Sequence, residues 1–413
     1  MLSAFLLCFD GTGYSGIVAA KYRAFMALTA VYVLLTLIFV VSAAIRGEFA
    51  LSALRRISPA KVFALVFLGV SWLSALVSPY FPETVIGVSR YEGALTFSAY
   101  CAVFLLVSVF GCADRTLLYV LAGSVTLFCA LCFVQFMGFD PFGLYPDGMD
   151  YYGAYVDYPC AYLGTIGNTD LAAAFLCVVI PVFWTGLIRL SGRLKYLLLV
   201  PLAASLTVLV KINVLAGLGG VFCGGALLLP VALPGKRARR LSGISVAGLI
   251  VIALAALYFF DFSGFPHELH ELLHGRIDPA FGSGRLHIWS ETLHRVPERL
   301  WLGHGPDTML RAELAPFTRY DAERNVMIRS LIDTAHNEYL NVLFHQGVLG
   351  LAAYMGLILS VFIPCLKRGV GSAACVMLAG GAFCYCIQAF FGFSMCITAP
   401  FFWICIALLD RER

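Results

Sequence analysis

The chain reads as an all-α polytopic membrane protein, and two observations predict it. Hydrophobic residues make up 61% of its 413 residues and charged residues only 13%, where a soluble domain carries about 25% charged residues. The apolar residues are also grouped in runs close to the roughly 20 residues a helix needs to cross a bilayer. Full spans are expected near 24–45, 60–78, 94–112, 116–138, 169–190, 194–211, 213–233, 242–260, 337–365, 372–391 and 393–409. Met1–Phe9 is apolar but too short to span and lacks the basic start of a signal peptide, so it reads as the tail of a partial first helix. About twelve helices in one integral membrane domain, residues 1–413, are the expectation.

Charge placement orients the spans. Basic clusters occur at Arg46/Arg55/Arg56/Lys61, Arg115, Arg189/Arg193/Lys195, Lys236/Arg237/Arg239/Arg240, Lys367/Arg368 and Arg411/Arg413, and all fall on one face of this scheme, with Lys21 and Arg23 as the exception. The positive-inside rule makes that face cytoplasmic. Three segments then meet outside: 79–93, 139–168 and the large loop 261–336. The large loop holds seven of the eight histidines, eight arginines and eleven acidic residues; a loop of that length is usually functional. The tyrosines Tyr145, Tyr151, Tyr152, Tyr155, Tyr158 and Tyr162 read as an interfacial belt or as sugar-stacking rings.

Several functions are excluded or weakened at this level. No GxxxxGK[ST] loop exists, so the chain alone is not an ATP-driven pump. No nucleic-acid partner is expected. No internal repeat marks a two-fold transporter, and charges gather in loops rather than in mid-span, although eleven or twelve spans are compatible with solute transport. Most of the fourteen cysteines lie inside apolar runs, where they act as small hydrophobes. The stretch HELLH, residues 270–274, fits the HExxH pattern of zinc peptidases, with His270 and His274 one turn apart and Glu271 as the base. No pattern marks a third ligand, and the segment reads more naturally as an interfacial helix with Leu269, Leu272 and Leu273 toward lipid, which leaves zinc at His270 and His274 as the lesser alternative.

A stronger constellation follows. Arg285 comes after two glycines, Gly282 and Gly284, so its backbone can approach a partner closely. Gly303, Gly305 and Pro306 make a tight turn before Asp307, which reads as a turn residue. His336 opens a long span, and Asn337, Glu338 and Asn341 make its first turn unusually polar. An Arg, a His and a carboxylate at an outer interface suit an anionic lipid headgroup and a proton transfer.

These pieces, SGRLHIW (283–289), Pro297 with GHGP (303–306), HNEYL (336–340) and GVLGL (347–351), together with GVSRYEG (87–93) and GTIGNTD (164–170), resemble the O-antigen ligase and O-antigen polymerase superfamily of bacterial envelope glycosyltransferases. The resemblance implies a GT-C-like bundle of about twelve transmembrane helices in the bacterial cytoplasmic membrane. It implies transfer of a glycan from an undecaprenyl-diphosphate carrier to an acceptor hydroxyl on the outer face, without cofactor or metal. The acceptor is left open between glycan, lipid and protein, and hence between ligase, polymerase and O-oligosaccharyltransferase. Carried over by residue, Arg285 holds the diphosphate and His336 deprotonates the acceptor or steadies the leaving group. Arg90 and Glu92 are further candidates at the outer site, with Glu338 and Asn337 beside His336. One departure is that LVKINVLAG (209–217) stands where many members carry S-R-G, so Lys211 is the substitute cation there, as a diphosphate ligand or as a helix-end lysine reaching for the interface.

Overall fold

The computed structural model describes residues 2–47, 57–145, 163–321, 326–367 and 371–412. The chain is a helical bundle. Its helices are α1 (Leu2–Leu7), α2 (Ile17–Ile45), α3 (Pro59–Val77), α4 (Glu83–Ile86), α5 (Ala94–Phe110), α6 (Arg115–Phe136), α7 (Thr169–Arg189), α8 (Leu199–Ile212), α9 (Leu215–Ala232), α10 (Lys236–Phe259), α11 (Phe265–Leu273), α12 (Arg285–Arg295), α13 (Glu338–Lys367), α14 (Ala373–Ala389) and α15 (Ala399–Arg411). Every expected span contains a helix. Eight of the helical segments among the described residues are long and apolar enough to cross a membrane, and α5 and α14 are shorter apolar helices. Tyr151, Tyr152, Tyr155, Tyr158 and Tyr162, like Arg55, Arg56, Arg368 and Arg413, lie outside the described residues.

α7 is the centre of the bundle and is buried along almost its whole length, against α14, α9 and α8. In lipid no hydrophobic force separates helix from solvent, so close contact depends on small residues. The chain supplies them: a methyl group at Gly381 of α14 would meet the Val178 carbonyl of α7 at 2.5 Å, and one at Gly217 of α9 would meet the Ala173 side chain at 2.6 Å. α13 packs along α3 and α15 along α5. α10 and the second half of α2 are peripheral. Leu35, Ile38 and Phe39 of α2 and Leu249, Val251 and Ile252 of α10 face outward more than half exposed, a surface that water would penalise and lipid accepts.

Two departures from the expected spans have physical causes. The last span begins at Ala399, with Pro400 in the first turn where its missing N–H costs nothing; residues 390–398 before it are not helical and turn toward the polar end of the bundle. α13 is broken at Gly347, which has φ 68° and ψ −169°. Unpaired peptide groups are costly at membrane depth, and residues 300–305 pair with them. Val348 N–H donates to Leu300 O at 2.9 Å, His304 N–H to Phe344 O at 2.9 Å and Gly305 N–H to His345 O at 3.0 Å. Ser74 Oγ of α3 also donates to His345 O at 2.7 Å. The fit leaves no room for side chains: a methyl group at Gly347 would lie 2.3 Å from Trp301 O, and one at Gly303 2.5 Å from His345 O.

The partial first helix is present as α1. Its last carbonyls are capped from α2, where Lys21 Nζ donates to Phe5 O and Leu6 O, each at 2.8 Å. Lys21 is only 1% exposed, and Arg23 pairs with Asp10 at 2.7 Å. The two residues that broke the charge pattern are therefore held by local partners. Three basic residues of the pattern meet neighbouring helix ends at one end of the bundle: Arg115 reaches Ser191 O at 3.4 Å, Arg189 reaches Gly371 O at 3.3 Å and Arg411 reaches Val109 O. Among the described residues, the opposite end carries 78–93, 163–168, 261–321, 326–336 and 390–398. The segment 261–336 adds an element the spans did not foretell, an antiparallel hairpin of β1 (Phe317–Asp321) and β2 (Val326–Ser330).

Gly347→Ala forces a side chain into left-handed backbone and into a carbonyl, and is expected to cost at least about 1–3 kcal/mol. Gly69→Ala on α3, with open space around it, is expected to be neutral. Thermal midpoints of the two purified variants check the contrast.

Candidate functional site

At the loop-bearing end, three segments converge on two arginines and a histidine. The first is the turn 87–93. Asp307, at φ 55° just after the 300–305 strap, pushes its carboxylate into that turn. Its Oδ2 accepts Ser89 N–H at 2.9 Å and Arg90 N–H at 2.7 Å, and its Oδ1 accepts Ser89 Oγ at 3.1 Å. Gly87 is required here, since a methyl group would lie 2.5 Å from Asp307 Oδ2. Burial raises the Asp307 carboxyl from its ordinary value, and the hydrogen bonds from Arg90 and Ser89 oppose that. The sequence marked Asp307 as a turn residue; it is that, and it is also the anchor of Arg90.

The Arg90 guanidinium lies over the Phe393 ring, 4.4 Å from its centroid. Its Nη2 and Nε both donate to Asp333 Oδ2, at 2.7 and 3.1 Å, and its Nη1 faces the Met395 thioether at 3.4 Å. Phe393 and Met395 come from the non-helical stretch before α15, which explains why that span starts late.

Arg285 is the first residue of α12. Gly284 before it is left-handed, with φ 83°, and its bare Cα faces the Phe317 ring of the hairpin. Arg285 Nη1 donates to Gly282 O at 2.8 Å, while Nε is buried with no partner. Burial pulls its pKa down, and the charges of Asp170 and Glu268 pull it back. Arg285 and Arg90 both act on Asp170 and on His336, so the two cations share one locale.

His336 also has left-handed backbone, with φ 47°. Its ring meets Phe393 edge-on at 5.2 Å, and its Nδ1 is buried without a partner. Burial, then the charges of Arg285 and Arg90, hold the imidazole down at about 4, against an upward pull from Asp333. His336 is thus a neutral base next to two fixed cations. Asn337 caps α13, its Oδ1 accepting Leu340 N–H at 3.0 Å. Glu338 accepts Tyr354 Oη and, at 2.9 Å, Tyr385 Oη, which ties α13 to α14.

Beneath Arg90 lies a cavity of about 50 Å³ lined by Glu92, Asp307, Asp333, Glu338, His345 and Gln346 among others, room for a few waters. Glu92 Oε1 accepts Tyr100 Oη at 2.7 Å, and burial lifts its carboxyl well above the ordinary range. Gln346 is fully buried, and neither its Oε1 nor its Nε2 has a partner. Asp170, Asp333, His345 and Gln346 were not singled out from sequence. Asp170 sat inside a quoted motif; Asp333 and Gln346 had no local signal.

Lys211 is not gathered into this group. It is exposed at the end of α8, with Nζ 5.2 Å from the Phe136 ring. The HELLH segment also stays apart. α11 ends at Leu273, Glu271 is paired with Arg276 at 3.0 Å, His267 with Asp261 at 2.6 Å, and His270 Nδ1 donates to Leu257 O at 2.8 Å. Among the described residues no group of three His, Cys, Asp or Glu side chains is placed to hold a metal ion.

The described residues thus form a polytopic helical bundle with two arginines and a neutral histidine near one another at one end. Residues 161–355 match the O-Antigen ligase family, Wzy_C. This stretch runs from before α7 into α13 and includes Arg285 and His336; over it the chain is similar to the O-antigen ligase family. A search of curated proteins found no match.

Two outcomes are expected. Asp307→Ala leaves two part-buried N–H donors unpaired, at up to about 1–3 kcal/mol each, and is expected to lower both stability and activity by releasing Arg90. The pH dependence of stability has a definite sign at His336. The unfolded imidazole binds its proton near 6.5 and the folded one near 4, so the unfolded state binds more protons in between, and this stability is lost as pH falls through that window. In His336→Asn, which keeps a residue tolerant of left-handed backbone, the drop in thermal midpoint between pH 7 and pH 5 is expected to shrink.

Proposed function

We propose that the protein transfers a glycan from a polyprenyl-diphosphate carrier, undecaprenyl diphosphate in bacteria, to an acceptor hydroxyl at the extracytoplasmic face of the cytoplasmic membrane, in a GT-C-type bundle. The observation that carries this reading is that Arg90 and His336 pack on the same Phe393 ring, with Arg285 near enough for its charge to act on the imidazole. The basic end of the bundle faces the cytoplasm by the positive-inside rule, which puts the arginine end outside.

The diphosphate is the leaving group. Arg285 has an unpartnered Nε and Arg90 a nearly idle Nη1, and guanidinium forks match phosphate oxygens. Their positive charge stabilises the negative charge that builds on the departing diphosphate. His336 takes the proton of the acceptor hydroxyl as its oxygen attacks the anomeric carbon from the face opposite the leaving group, so the anomeric configuration inverts. Burial and then the two arginine charges lower the proton affinity of His336. Two bound phosphates offset the two arginine charges and bring the imidazole back toward the range of a working base. Glu92, Glu338 and Asn337 support the site, and Lys211 stands outside it.

Arg285→Ala, Arg90→Ala and His336→Asn are each expected to cut glycan transfer by about 100-fold or more, with membrane abundance retained and with activity insensitive to chelators. Wild-type transfer in both arginine variants would sink the reading. In a strain lacking the protein, unattached lipid-linked polymer marks a ligase and single lipid-linked repeat units mark a polymerase.

A further inference from the structure

Asp333 is the strongest partner of Arg90 and has no role so far. One of its oxygens accepts both Nε and Nη2 of the guanidinium, as a phosphate oxygen would. The pair is reachable, with side-chain exposures of 20% for Arg90 and 35% for Asp333. Asp333 stands on the segment between β2 and α13, three residues before His336, and its charge is felt at the imidazole.

We infer that Asp333 is a resident counter-ion that the donor's phosphate displaces from Arg90, and that the freed carboxylate then steadies the imidazolium forming at His336. The inference rests on the reading of Arg90 and His336 given above. A carboxylate carries one charge and engages one side of the fork, leaving Nη1 on a thioether, a weak acceptor. A diphosphate carries more charge and more oxygens, and it also meets Arg285, whose Nε has no partner. Arg90 need not leave Phe393 for the exchange, since the ring holds the face of the guanidinium while the anions compete for its edge.

The exchange reverses the field at His336. The charged groups facing it are Arg285 from α12, Arg90 from the 87–93 turn and Asp333 from its own segment; Phe393, from the stretch before α15, is neutral. With the donor absent, Asp333 is bound to Arg90 and both arginines repel a proton on His336. With the donor bound, phosphate offsets both arginines and Asp333 is free to face the imidazole. The step balances: the acceptor O–H proton passes to His336 as the new O–C bond forms, the pair of the broken C–O bond leaves on the diphosphate, and the imidazolium proton then passes to that diphosphate or to water. Asp333 stays a carboxylate throughout and acts as a positioning residue. A base armed only when the donor is seated limits proton abstraction to productive complexes.

The test uses the purified full-length protein in lipid nanodiscs, with farnesyl diphosphate as the binding probe and glycan transfer as the activity. Asp333→Asn is expected to bind farnesyl diphosphate several-fold more tightly, because the internal competitor is gone, while kcat at pH 7 falls at least tenfold and the acidic limb of its pH profile moves down. Asp333→Glu is expected to restore part of kcat. Asp333→Ser repeats the measurement should Asp333→Asn fail to accumulate. Binding that is weaker or unchanged in the neutral variants overturns the counter-ion role, and an unchanged kcat and pH profile overturns the role at His336. If wild type fails to bind the probe, or Arg90→Ala binds it as tightly as wild type, the donor assignment itself falls, and Asp333 with it.

Discussion

The break in α13 at Gly347 is the constraint on which the site depends. A helix interrupted at membrane depth leaves peptide groups that lipid cannot satisfy. The strap 300–305 supplies the missing partners, from Leu300 O to Gly305 N–H. Pairing of that kind holds the strap in one register. It therefore also places Asp307, two residues beyond Gly305, whose carboxylate organises the turn bearing Arg90. The same helix carries His336 just ahead of its first turn. One backbone interruption thus couples the base to one of the two cations.

The electrostatics of the site are a balance held in low dielectric. Arg90 and Arg285 are partly buried, which costs solvation, and Asp333, Asp170 and Glu268 offset it. The imidazole of His336 is kept neutral by its burial and then by the same two cations. In the proposed function, an anion bound among the unused N–H donors relieves the repulsion between the arginines and raises the basicity of the histidine together. The buried and unpartnered amide of Gln346 shows that the cavity beneath also has hydrogen-bonding capacity in reserve.

Much of the site was legible because glycines and short motifs mark it. Gly284 before Arg285, Gly87 before Arg90, and Gly303 and Gly347 each stand where a methyl group would strike a neighbour within 2.3–2.6 Å, so their presence in the motifs had a steric cause that sequence could flag. What sequence could not supply was the pairing of motifs. The GHGP turn and the GVLGL stretch read as two separate signals, and only folding shows that one seals the other. Asp333 lay in no motif and gained its role from Arg90, 243 residues away. Lys211 carried the right charge at the right depth, but its helix ends against Phe136. The HELLH pattern had the right spacing, yet α11 stops before His274 and Glu271 pairs with Arg276.

By itself the sequence determined the class of the protein, the position of its spans and the end at which polar chemistry gathers. Those follow from composition and from runs of apolar residues, which act locally and need no knowledge of neighbours. The tertiary structure decided which charges meet, where α13 breaks and what repairs it, and why Lys21 and Arg23 escape the charge pattern. Those depend on contacts between residues far apart in the chain, where a hydrogen bond to Phe5 O or to Asp307 has no periodicity to announce it.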